Sequence, residues 1–192
     1  MPSKVWIRTL VATAVVMACG VSTAHATVID RVHFSGSETG VADNLCGIDV
    51  VRDSEFRGSA RIRVPKSGNG QAFLERFNLK ATDTFTNPEN GKSLIFQTNV
   101  LSNELHTSQV EGNVYEFETI ESGQPFVIKD SDGRVVVRDR GSIRRVITFD
   151  TLGDSQPGGI QLDETIVRVS GPHPGFDMTD EEFCGVIESL IG

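Results

Sequence analysis

Tryptophan, tyrosine and cysteine are scarce in this chain of 192 residues: one Trp, one Tyr and three Cys, beside four His. No apolar stretch reaches the roughly 18 to 20 residues that a membrane-spanning helix needs, so no permanent span is expected. There is no Gly-x-Ser-x-Gly elbow, no glycine-rich phosphate loop and no Cys-x-x-Cys, which removes the common signatures of acyl transfer, nucleotide binding and thiol redox chemistry. His33, His106 and His173 stand too far apart for metal-ligand spacing, so neither a zinc site nor any other cofactor is expected. Basic residues are also few, 18 against 26 acids, and an acidic balance argues against nucleic acid or an anionic membrane as a general partner.

What is present begins with a leader. Lys4 and Arg8 precede an apolar run from Leu10 to Val21, and Ala24-His25-Ala26 follows, the layout of a secretory signal peptide over residues 1–26. Cleavage after Ala26 leaves residues 27–192 as one secreted domain and, with Lys4 and Arg8 gone, moves the formal charge from −8 to −10. The competing reading is a lipid anchor at Cys19, in a loose lipoprotein-type box. Removal of the leader also removes Cys19, and the remaining Cys46 and Cys184 are expected to pair in an oxidising compartment.

The remainder alternates with the period of strands. From Phe73 to Leu101, Phe73, Phe77, Leu79, Ala81 and Phe85 share one parity while Arg76, Asn78, Lys80, Thr82 and Thr84 share the other. Asn87-Pro88-Glu89-Asn90-Gly91-Lys92 supplies the turn of this amphipathic hairpin. Shorter strands are expected at 27–34, 46–51, 57–64, 105–110, 114–120, 126–129, 134–138, 143–149 and 160–169. Loops are read at Ser35–Asn44, Lys66–Gly70 and Thr151–Gly159, with a reversal at Ser102–Glu104. The fold class is therefore all-β, an antiparallel meander of about nine strands closing into a barrel or sandwich. One helix, 179–191, is expected at the end, where Thr179 and Glu182 form a capping box and Phe183, Cys184, Ile187, Leu190 and Ile191 make one stripe.

Candidate site residues fall into two sets. The eleven phenylalanines could fill a small barrel or line a pocket for an apolar ligand, with Phe77, Phe96 and Phe117 as lining residues. The missing Gly-x-Trp of a first strand argues against a lipocalin. His173, held between Pro172 and Pro174, is the single residue best placed for a functional imidazole, although such a run also simply joins a strand to a helix. The second set is basic: Arg134, Arg138, Arg140, Arg144 and Arg145 lie on two successive strands and would form a patch for an anionic partner or a cell-envelope component, or else a solvated sheet face. Asp130-Ser131-Asp132-Gly133 reads as a hairpin turn, since a calcium loop would need further acidic ligands.

Cys46-Gly47, Thr86-Asn87-Pro88 with Asn90-Gly91-Lys92, Ser170-Gly171-Pro172-His173-Pro174 and Phe183-Cys184 together resemble a group of small secreted actinobacterial proteins. The resemblance implies export and a disulfide, and carries no activity or catalytic residue. The leading function is thus a non-catalytic extracellular protein that binds a ligand or partner. The alternatives are a small-barrel enzyme of isomerase or cyclase type acting on an apolar substrate, which would need His33, His106 or Glu118 to converge inside, and an envelope protein using the arginine patch.

Overall fold

The computed structural model describes residues 28–65 and 71–192. The expected leader, Cys19 and the turn at 66–70 lie outside the described residues. The chain forms β1 (Val28–Leu45), β2 (Ile48–Arg63), β3 (Leu74–Thr86), β4 (Ser93–Glu111), β5 (Val114–Asp130), β6 (Val135–Arg138), β7 (Gly141–Asp150) and β8 (Ile160–Ser170), followed by a single turn α1 (Pro174–Asp177) and the helix α2 (Asp180–Ile191). All pairings are antiparallel, in one eight-stranded sheet of order β1-β2-β3-β4-β5-β7-β8, with β6 also paired to β5.

The all-β antiparallel class and the terminal helix are as expected; closure is not found. Among the described residues β1 and β8 have no pairing with each other, so the sheet is open. The physical reason lies in α2. Its Ile187 and Ile191, both fully buried, pack with Val50, Leu94, Phe126 and Ile128 on one face of the sheet, where a second layer of strands would otherwise stand. A smaller cluster, Ala72, Leu74, Tyr115 and Phe117 with Phe149 against it, is separate from this core.

The strands are longer and fewer than the sequence suggests. Ser35–Asn44, rich in Ser, Gly and Asp, continues β1, and the reversal expected at Ser102–Glu104 is the middle of β4. Glycines in the first two strands serve as seats for rings. Phe34 lies opposite Gly58 and Gly36 opposite Phe56, and a Cβ on either glycine would meet the facing ring at 2.5–2.6 Å. Each ring therefore covers the glycine backbone across the ladder, a pairing that no window along the chain reveals.

Turns and caps hold the helix. Cys46 and Gly47, expected to begin a strand, form instead the two-residue turn between Leu45 and Ile48, with φ of 55° and 84°. From that turn the disulfide Cys46–Cys184 reaches into α2, across a sequence separation of 138. In the chain-entropy model such a link contributes on the order of 4 to 5 kcal/mol. At the N-terminus of α2 the capping box forms as expected: Glu182 N–H donates to Thr179 Oγ1 and Thr179 N–H to Glu182 Oε2. The other end meets the β3–β4 turn, whose Asn87 and Asn90 side-chain amides donate to the Ile191 carbonyl at 2.8 and 3.0 Å while Lys92 Nζ donates to the Gly192 carbonyl. The asparagines of that turn thus satisfy a helix end that would otherwise carry orphan carbonyls.

Candidate binding face

The structure disperses the first set of expected site residues. Phe77 stacks on Phe34, with ring centroids 5.8 Å apart. Phe96 is enclosed by Phe85, Phe126 and Phe183 beneath α2. Phe117 meets Phe149 edge-on in the second cluster. These rings pack against one another and line no common pocket.

His173 is 2 % exposed and works as a fastener. Its Nδ1 lies 2.6 Å from Asp139 Oδ1, its Nε2 lies 3.2 Å from the Ser170 carbonyl, and Phe176 stands edge-on to the ring. Asp139 Oδ2 also accepts the Gly175 N–H. Both ring nitrogens and both carboxylate oxygens are therefore engaged in tying the segment after β8 to the link between β6 and β7. His33 and His106 are exposed, and Glu118 lies directly opposite His106 with Arg144 as its ion-pair partner. The three do not converge on an interior.

The second set is also separated. β6 and β7 both pair with β5, one after the other along its length, at Val127–Lys129 and Val114–Gly123. Arg134 sits in the turn, where its N–H and that of Asp132 donate to Asp130 Oδ1, and Arg140 sits in the link after β6. Arg138 lies opposite Val127. Arg144 and Arg145, adjacent on β7, point to opposite faces. Arg144 pairs with Glu118; Arg145, only 15 % exposed, pairs with Glu164 at 2.9 Å and Glu121 at 3.7 Å.

Register creates a different basic surface. Residues directly opposite in antiparallel strands share a face. Arg31 faces Arg61, and Arg61 faces Arg76. The same row continues through Asn103 and Ile120 to Arg144 and Arg168. Two residues along the strands runs a neutral row, His33, Ser59, Asn78, Leu101, Ser122 and Ser142. Two further on, Ser35, Arg57, Lys80 and Asn99 are aligned. All three rows lie on the face opposite α2, because the intervening residues, such as Phe34, Ala60, Phe77 and Leu79, share the parity of the helix-bearing face.

Three arginines side by side repel, since like charges directly opposite are destabilising. Arg31, Arg57, Arg61, Arg76 and Lys80 make no ion pair among the described residues, while Arg61 Nε is buried and without a hydrogen-bond partner. Arg31, Arg57, Arg76 and Lys80 are exposed. A shallow depression of about 380 Å³ opens between the rows, lined by Arg76, Asn78, Lys80, Asn99 and Ser122 together with Val100, Leu101 and Gly123. A second, at the end of α2, is lined by Asp49, Glu89 and Asn87. Both are open.

On the helix-bearing face, among the described residues, Glu104 is the group that burial perturbs most strongly. Burial pushes its carboxyl up to about 7, only partly offset by the Glu75 N–H that donates to it and by Arg63, while the Glu75 charge adds to the rise. Its side chain takes up the β3 N–H just beyond the last β3–β4 pair, Arg76 with Asn103, which gives it a place in the ladder. Sequence reading placed Glu104 in a turn, and nothing local marks it.

The fold and this face define a single-sheet β-protein with one side packed under a helix and the other presented as a basic, hydroxyl-bearing surface. Comparison with protein-family models, with curated proteins and with solved structures gives no match.

Proposed function

We propose that this protein is a non-catalytic binding protein acting outside the cell, and that it recognises an anionic partner through the face carrying Arg31, Arg61 and Arg76. The observation that carries the reading is the uncompensated row itself. In a chain with 26 acids against 18 bases, three arginines aligned on neighbouring strands with no facing carboxylate form a site whose like-charge cost is relieved when an anion binds. The Cys46–Cys184 disulfide supports an oxidising compartment, and no helix among the described residues is long and apolar enough to cross a membrane. The tightly packed phenylalanines and the openness of the depressions weigh toward surface recognition over enclosure of an apolar ligand.

The test is binding of soluble polyanions, followed by calorimetry at several salt concentrations. The wild-type protein is expected to bind with an affinity that falls as salt rises, and Arg61→Glu to weaken binding at least about tenfold with a shallower salt dependence. Arg134→Glu and Arg138→Glu, which lie away from the row, leave binding unchanged. Salt-independent binding, or equal loss from Arg134→Glu, overturns the reading.

A further inference from the structure

Resting on that reading, we infer that the partner is a linear acidic polysaccharide that lies across the strands, along the rows. The arrangement is two basic rows with a neutral row between them. Neighbouring strands stand about 4.8 Å apart, so Arg31, Arg61 and Arg76 place positive groups at roughly that interval in one direction. Along the strands, Arg57 and Lys80 follow four residues from Arg61 and Arg76, a separation of about 13 Å. Between the two rows stand Ser59 and Asn78, linked by a 2.6 Å hydrogen bond, with Ser122 beyond them. Hydroxyls and a carboxamide are suited to sugar hydroxyls, while the flanking guanidinium and ammonium groups take carboxylate or sulfate.

The same surface is poorly built for nucleic acid. Single strands are held by stacking bases on aromatic rings, and the three rows contain no Phe, Tyr or Trp; His33 at the rim is the sole ring. The band is bounded on one side, because the next row brings the exposed carboxylate of Glu55 between Ser37 and Thr82. A polyanion is thereby kept from spreading past the Arg57–Lys80 row on that side. The depression between Arg76 and Lys80, lined by Asn78, Asn99 and Ser122 with the apolar Leu101 among them, gives one sugar ring a seat at the centre.

The experiment compares polygalacturonate, dextran sulfate, polyphosphate and oligodeoxythymidine at equal charge concentration, using the wild-type protein and the double variant Ser59→Ala/Asn78→Ala. Asn78 is exposed and Ser59 half-buried, and circular dichroism verifies the fold. The expected result is tighter binding of one or both polysaccharides than of polyphosphate or DNA, and a loss of about tenfold for the polysaccharide alone in the double variant, as two neutral hydrogen bonds would give. Equal binding of all four polyanions, a preference for polyphosphate or DNA, or an unchanged preference in the double variant overturns the polysaccharide inference and leaves the anionic-partner reading standing. Failure of all four to bind overturns both.

Discussion

Two groups of arginines in this protein have opposite fates. Arg144 and Arg145 are neighbours in sequence, in the densest basic stretch of the chain, and both are neutralised by glutamates from adjacent strands. Arg31, Arg61 and Arg76 are scattered over 46 positions, yet the register sets them side by side with no acid facing them. Sequence clustering of charge therefore says little about where a field emerges from a sheet. What decides is the partner each strand brings opposite, and β5 brings Glu118 and Glu121 while β2 and β3 bring only more base.

The largest effect that sharpens this contrast is expected at Arg145. Arg145→Met removes the guanidinium that pairs with the partly buried Glu121 and Glu164, and should lower stability by about 1–3 kcal/mol. Chemical denaturation measures it, and a change within 0.5 kcal/mol, the usual noise of surface substitutions, would mean the pair is solvated after all. Next comes Glu104, an acid held on the helix-bearing face without a full ion pair. Burial pushes its folded carboxyl up to about 7 from an ordinary 4.5, so the folded state holds a proton that the unfolded chain releases between those values, and stability is lost as pH rises through that window. Glu104→Gln should flatten that loss, gaining about 1–3 kcal/mol over wild type above pH ~8 and nothing below pH ~4. Parallel pH profiles of the two proteins would refute the assignment. Smallest is the row itself. Arg61→Thr should raise stability by about 0.2–1 kcal/mol in low salt, with the gain fading as salt screens the repulsion. A loss of stability instead would show that Arg61 is compensated.

How much of this was legible along the chain follows from the range of each interaction. The capping box of α2 and the Asn-Gly turn at 87–92 are set by residues within six positions, and both are found as read. The outward parity of Arg76, Asn78 and Lys80 was equally plain, since alternation is local. The stacking of Arg61 on Arg76 was not, because it depends on where β2 stops and how the connection at 64–73 is spent, and a slip of one residue would turn every side chain over. Ser35–Asn44 was read as a loop for the same reason: its glycines and serines are turn formers locally, and only the rings of Phe34 and Phe56, paired across the ladder with Gly58 and Gly36, make them strand residues. The expected barrel failed on a tertiary fact, the helix that occupies the face where closure would have packed.

The Cys46–Cys184 bond also sets a schedule. Cys46 is synthesised 138 residues before its partner, which at about 5–20 residues per second is an interval of roughly seven to thirty seconds. Until Cys184 of α2 is made, the Cys46 thiol at what becomes the tip of the first hairpin lacks the partner it has in the fold. The tip is consequently the point at which a growing chain can be captured as a mixed disulfide by a neighbour or by an oxidoreductase. Yield in an oxidising compartment then depends on that thiol staying exchangeable until the C-terminal helix arrives.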